Sequence, residues 1–242
     1  MRIPRIYHPE PLSTHETIML SSGAANHIAN VLRMRVNQQI ILFDGSGIDF
    51  AGVITALAKK QVSVTLNQAL PNQTESPLIT HLGQAICRGD KMDWIIQKSV
   101  ELGIKQITPL MTQHSQFKWP PQQKQKKWQH WHNIMINSCE QCGRSLLPTL
   151  DPITTLQNWL SQTHSGTCLI LDPAADQSAR LANDNQQITL LCGPESGFDQ
   201  QEIDTAKQSG FCPTQIGPRI LRAETAAVAM LACLQWQWGD FH

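Results

Sequence analysis

Over the first seventy positions the apolar residues fall into short, β-branched runs; beyond position 77 strand-like runs alternate with helix-length ones. In the first part Gln39–Asp44 (QIILFD), Ile48–Ala56 and Gln61–Leu66 (QVSVTL) read as strands, the first two joined by a Gly45-Ser46-Gly47 hairpin turn. One helix interrupts them, capped by Ser22, with Ala25, Ile28, Val31 and Leu32 on one face. Strands at this density predict a small barrel or sandwich. The segment 71–77 (PNQTESP) is polar and bracketed by prolines, which predicts a linker between a domain at 1–71 and a second at 77–242.

The second part begins with a strand at His81–Cys87. Asp90 caps a helix through Leu102 that stops at Gly103, and Gln106–Met111 is the next strand. Pro120-Pro121 opens a long helix to about Cys142, and a shorter one is expected at Thr154–Thr163. Thr167–Asp172 (TCLILD) and Gln187–Cys192 (QITLLC) are buried strands, and Asp199 with Glu202 fits a capping box for a helix to Ser209. Thr214–Ile216 reads as a short strand and Glu224–Trp238 as a final apolar helix. This alternation predicts an α/β domain with a mostly parallel sheet covered on both faces. Ligands of such sheets bind beyond the carboxyl ends of the strands. Three strand-end loops are therefore candidates: 171–174 (LDPA), 193–198 (GPESGF) and 216–225 (IGPRILRAET). Their glycines allow close backbone approach, their prolines stiffen the turns, and Glu195, Arg222 and Glu224 place charge there. Ordinary connections with capping acids would show the same pattern.

Composition narrows the class. Of 242 residues 41% are hydrophobic, enough for a full core, and no run of about 18 apolar residues exists. The opening MRIPRIYHPEPL lacks the apolar stretch of a secretory signal. The seven cysteines are odd in number and scattered. Cys87, Cys168, Cys192 and Cys233 stand in apolar runs as small hydrophobes, which points to a reducing cytoplasm. Net charge is zero but unevenly spread: Gln84–His130 holds eight basic and three acidic residues, Asp151–Gly210 two basic and eight acidic. A neutral total can thus hide a basic face. Arg2, Arg5, Tyr7 and His8, with Arg33 and Arg35, combine arginine with an aromatic in a way that suits RNA.

Other templates fail. Ser196 is one position off a nucleophile elbow, no phosphate-binding G-x-x-x-x-G-K-[ST] exists, and Gly45-x-Gly47 does not extend to the dinucleotide fingerprint. Cys139-Glu140-Gln141-Cys142 lacks a second ligand pair and reads as helix packing rather than as a metal site.

The segments MRIPRIYHPEPL, ANHIANVLRMR, LFDGSG, RGDKMDWIIQKSVELGIKQITPL, CEQCGR, GPESGF and IGPRILRAETAA follow in order, and together they resemble the RsmE family, the bacterial 16S ribosomal-RNA uridine N3-methyltransferases. The resemblance spans essentially the whole chain. It implies a PUA-like β-barrel that grips RNA, followed by a SPOUT methyltransferase domain with a trefoil knot. It further implies S-adenosylmethionine as cofactor, a homodimer, and the small ribosomal subunit as partner, without membrane or metal. By the same resemblance Leu171, Cys192, Gly193, Glu195, Gly197, Ile216, Gly217, Leu221, Arg222 and Thr225 would bind the cofactor. Arg222 and Glu224 would be catalytic, Arg222 as a donor to the developing uracil anion and Glu224 as its orienter or as proton acceptor. Arg5, Tyr7, Arg33, Arg35, Arg88 and Lys91 would meet RNA. The chain departs from the family at Ser196 and Ala223, where glycine and threonine are usual. If position 196 needs a positive φ, serine costs about 1 kcal/mol there. An RNA-binding assembly factor with a vestigial pocket, or an enzyme with another RNA target, are the alternatives.

Overall fold

The computed structural model describes residues 3–58, 61–113, 119–175 and 186–241. Arg2 and, from the charge pattern, Lys118, Asp176, Arg180 and Asp184 lie outside them. The chain divides into two compact units, Met1–Glu75 with Ile136–Leu147, and Ser76–Met135 with Pro148–His242. The break between Glu75 and Ser76 falls inside the proline-bracketed segment 71–77, and Ile136–Leu147 belongs to the first unit.

In the first unit five strands, β1 (Arg5–Tyr7), β2 (Thr17–Met19), β3 (Gln39–Phe43), β4 (Ile48–Ala58) and β5 (Gln61–Pro71), form one sheet in the order β1-β3-β4-β5-β2. The pairs β3–β4, β4–β5 and β5–β2 are antiparallel, and β1 joins β3 in parallel. Alternation sets the buried face: Ile40 and Leu42 on β3, Ile54 on β4, and Val62, Val64 and Leu66 on β5 are fully buried. Gly45 and Gly47 take φ of 91° and 87°, as a hairpin turn asks of glycine. The helix α1 (Ser22–Asn26) is capped by Ser21, whose hydroxyl accepts from the Ala24 amide, not by Ser22. It runs into a π turn, His27–Val31, and Arg33 then adopts a φ of 52°. The expected helical face therefore breaks: Ala25 and Ile28 are buried, whereas Val31 and Leu32 are exposed.

In the second unit every strand pair is parallel. The strands β6 (Ile79–Ala85), β7 (Gln106–Met111), β8 (Thr149–Leu150), β10 (Thr167–Leu171), β11 (Gln187–Cys192) and β12 (Cys212–Thr214) lie in the order β12-β10-β11-β6-β7-β8, and β9 (Thr154–Thr155) also pairs with β7. The helices are α2 (Lys91–Glu101), α3 (Pro121–Cys142, ending among the first unit's residues), α4 (Leu156–Leu160), α5 (Gln200–Gln208) and α6 (Ala223–Trp238). Trp159 on α4 is 1% exposed and packs with Leu110, Ile170, Leu191 and Phe211. It lies over Gly83 of β6, where a Cβ would stand 2.6 Å from the indole.

Several local readings shift. Asp90 precedes α2 but makes no capping bond with its side chain; Gly103 stops the helix at φ 77°, as expected. The helix expected at Thr154–Thr163 shrinks, because Thr155 pairs with Met111 in the sheet and caps α4 with its hydroxyl. The strand placed at Thr214–Ile216 lies two residues earlier. Asp199 and Glu202 form the full capping box. Cys87 and Cys192 are buried, Cys168 is half-buried, and Cys233 is exposed, against its reading as a core thiol. Cys139 is buried in α3. Among the described residues no helix is long and apolar enough to cross a membrane.

Candidate active site

Parallel register aligns the carboxyl ends of three strands. Leu171 of β10 lies opposite Thr214 of β12, and Ile170 opposite Leu191 of β11. The loops leaving these ends enclose a cavity of about 700 Å³. Leu171, Cys192, Gly193, Glu195 and Gly197 line it from the first two loops, and Ile216, Leu221 and Arg222 from the third. Gly217 and Thr225 do not line it. Gly217 takes φ 66° and turns the chain past Ile216; Thr225 is exposed in the first turn of α6.

The charged groups divide into an engaged set and a free one. Lys91, at the start of α2, lines the cavity with its ammonium 3.1 Å from the Glu195 carboxylate and 3.6 Å from that of Glu224. The Arg88 amide donates to the same Glu195 oxygen at 2.9 Å. Glu224 therefore meets Lys91 rather than Arg222, and it is not among the residues that line the cavity. Arg222 is the residue before α6, exposed on the cavity wall; its carbonyl accepts from the Ala226 amide, and its guanidinium has no hydrogen-bond or ion-pair partner among the described residues. Beneath the second loop, the buried Gln84 amide donates to the Gly193 carbonyl at 3.3 Å. Burial pushes the Cys87 thiol up to about 12 and raises Cys192 as well, so both stay protonated and inert.

Partial burial raises the Glu195 pKa, but backbone amides, including that of Arg88, and the Lys91 ammonium outweigh it and hold the carboxyl below its usual value. A depressed carboxyl contributes stability above its unfolded pKa, and this is lost as pH falls through the folded value. The thermal midpoint should therefore drop on acidification below the ordinary glutamate range, and Glu195→Gln should blunt part of that drop. An unchanged acid limb in the variant would remove Glu195 from the account.

Two sequence departures resolve locally. Positive φ falls at Gly197 (72°), and Ser196 is not among the non-glycine residues with positive φ, so serine carries no such strain there. Ala223 is simply the first residue of α6. Phe198 and Ile203 also line the cavity and escaped the sequence reading. Their signal was present: they stand before the Asp199 cap and four residues after it, the spacing of a hydrophobic staple. A Cβ on Gly193 would come within 3.2 Å of the Phe198 ring, which explains glycine at that strand end. Arg219 and the 86% exposed Ile220 were missed in the third loop.

The residues expected to touch RNA separate by burial. Arg33 and Arg35 are exposed. Tyr7 is half-buried, its ring 5.6 Å from that of Phe43. Arg5 departs from the expectation: it is 9% exposed, and its guanidinium donates to both Asp49 carboxylate oxygens at 2.8 and 2.7 Å and to the Ser145 hydroxyl. Held on so many sides, it braces the first unit and is not available to a phosphate. Arg88 contributes its amide to the Glu195 contact and does not line the cavity.

An RNA methyltransferase domain model matches residues 74–235, and an RNA methyltransferase PUA domain model matches residues 20–67. Ribosomal RNA small subunit methyltransferase E of Buchnera aphidicola (subsp. Schizaphis graminum) is 36% identical over 99% of this chain and 98% of its own. The crystal structure of ribosomal RNA small subunit methyltransferase E from Neisseria gonorrhoeae bound to S-adenosyl methionine is 36% identical with a TM-score of 0.93, covering 100% of both chains. A Legionella pneumophila protein solved with the bound cofactor SAM is 39% identical with a TM-score of 0.96, again over 100% of both chains.

Proposed function

Because the chain belongs to the ribosomal RNA small subunit methyltransferase E family, we propose that it transfers the methyl group of S-adenosylmethionine to N3 of a uridine in the 16S RNA of the small ribosomal subunit. The observation that carries this reading is the cavity at the three strand ends with an uncommitted arginine on its wall.

The residues suit the cofactor. A volume of about 700 Å³ lies in the range of nucleoside-sized sites. Leu171, Ile216 and Leu221 offer apolar walls for an adenine, and Gly193 leaves its strand end without a side chain in the way. Cys192, Glu195 and Gly197 complete the second loop; Gly217 turns the third, and Thr225 stands in the first turn of α6. The trefoil knot implied by the resemblance would run through these loops.

When bound, S-adenosylmethionine supplies a methyl group already activated on a sulfonium. The protein must align uracil N3 with that carbon and stabilise the charge left when the N3 proton departs to solvent water. Arg222 donates hydrogen bonds to a flanking uracil carbonyl, where that charge spreads, as an oxyanion donor does. Lys91, tied to Glu195 and Glu224, holds the second loop and the first turn of α6 and so fixes Arg222 two residues before Glu224. The N3 edge is occupied in a paired helix, so the target base is single-stranded or flipped out. Arg33, Arg35, Tyr7 and the Arg88 side chain are assigned to RNA contact.

A homodimer is supported by the apolar α6, whose Trp236 is 71% exposed beside an exposed Cys233. Free thiols throughout the described residues suit a cytoplasmic setting.

The test is methyl transfer from labelled S-adenosylmethionine to small subunits that lack their own modification, with nucleoside mass spectrometry of the product. Appearance of 3-methyluridine is expected. Transfer to another base overturns the N3 assignment, and absence of both transfer and cofactor binding overturns the enzyme reading.

A further inference from the structure

A second cavity, of about 750 Å³, opens beyond the carboxyl end of β7, and nothing in the transfer described above uses it. Like the first cavity it stands at the end of parallel strands where ligands of such sheets bind. The helix α5 separates the two: Ile203 faces the first and Gln201 the second.

Its lining combines three chemistries. Trp119 and Leu160 give flat apolar surface. Gln113, Gln157 and Gln201 carry exposed side-chain amides that have no hydrogen-bond partner among the described residues. Lys124 is the cation of the wall, and the ammonium of Lys127 stands 6.0 Å from the Trp119 ring centre. The one acid, Glu202, is committed: its two carboxylate oxygens accept from the backbone amides of Gln113 and Asp199. The pocket therefore offers a hydrophobic plate, donors and acceptors for a planar heteroatom edge, and a lysine on its wall, with a second lysine beside Trp119.

We propose that this cavity receives one unstacked nucleotide of the substrate RNA, its base against Trp119 with the glutamine amides on its edge, and its phosphate toward Lys124. Single-stranded RNA is bound in this manner, by aromatic stacking beside a basic track. The assignment rests on the RNA-methyltransferase reading and adds to it a second point of RNA recognition, on the far side of α5 from the target base.

Filter binding of unmodified small subunits to the whole protein tests it, with calorimetry of S-adenosylmethionine as a control. Trp119→Leu should weaken subunit binding about tenfold, the loss expected when one stacked base is released. Trp119→Phe should recover most of it. Because Trp119 also stands 6.2 Å from the buried Trp131, a Gln157→Ala/Gln201→Ala variant, altered only at exposed positions, serves as the second probe and should weaken binding in the same direction. Cofactor affinity should stay within about twofold in all of them. Wild-type subunit affinity in both Trp119→Leu and the double variant would overturn the proposal. So would parallel losses of subunit and cofactor affinity, which mark a structural effect. Saturable binding of adenosine monophosphate, measured with the first cavity filled by S-adenosylmethionine, that subunits fail to displace would also overturn it, as the sign of a free-metabolite site. Binding is read without methyl transfer, so a failure of the N3 assignment leaves this result standing.

Discussion

Replacing Arg222 with alanine should slow methyl transfer by about 100-fold while the affinity for S-adenosylmethionine changes little. The size follows from losing one aimed donor to a developing anion. The direction follows from the structure: Arg222 lines the cavity, and its guanidinium is engaged by no acid among the described residues. Glu195 and Glu224, the carboxylates that might have neutralised it, are occupied by Lys91. Single-turnover transfer under saturating cofactor, beside calorimetric titration of the cofactor, separates the two quantities. Equal losses in rate and affinity would mean that Arg222 holds the cofactor rather than the anion. Arg222→Lys keeps the charge but not the fork of donors and should recover only part of the rate.

Trp159→Ala should destabilise the second unit by about 3–5 kcal/mol, the usual cost of emptying a large aromatic site in a core. In a chain of this size that corresponds to a fall of roughly 10 °C in the thermal midpoint. Trp159 is 1% exposed and sits over the sheet where Gly83 leaves room for it. The pairing gives a stricter check. In the natural background Gly83→Ala pushes a methyl to 2.6 Å from the indole and should cost about 1–3 kcal/mol. In the Trp159→Ala background the same substitution meets nothing of the indole and should cost far less, a coupling a double-mutant cycle reads directly. Additive losses would mean that the two residues do not share the site.

The parallel sheet and the three loops were legible because their signals are local: unbroken apolar runs, then glycine and proline at the strand ends. The capping box at Asp199 and Glu202 was legible for the same reason. The strand at Cys212–Thr214 was misplaced because Pro213 argues against a strand, yet β12 is the outermost strand of its sheet, where a missing amide is tolerated. The helix expected from Thr154 shortened because Thr155 is drawn into a pairing with Met111 that no window around residue 155 contains. Of the site, the three loops and the charged Glu195, Arg222 and Glu224 could be read from type and position, whereas the individual cofactor residues came from the family resemblance. The tie between Lys91, Glu195 and Glu224 could not, since it joins three distant segments. Arg5 shows the converse failure. Its type suggested a phosphate contact, but Asp49, in another strand, takes up its charge.

The strand order has a consequence for how the molecule comes into being. β6 lies between β7, made soon after it, and β11, whose Gln187 pairs with Ile79 across more than a hundred intervening residues. During synthesis the middle of the sheet must wait for its second neighbour while all the residues between β6 and β11 are translated. Pairings of such long range are slow to form, and the strand edges awaiting them invite association with other chains. The cavity waits longer still, since Leu221, Arg222 and Ala226 follow β11 in the chain. A nascent chain therefore cannot hold its cofactor before these residues have been made, so the site is completed only after the central pairings of the sheet have become possible.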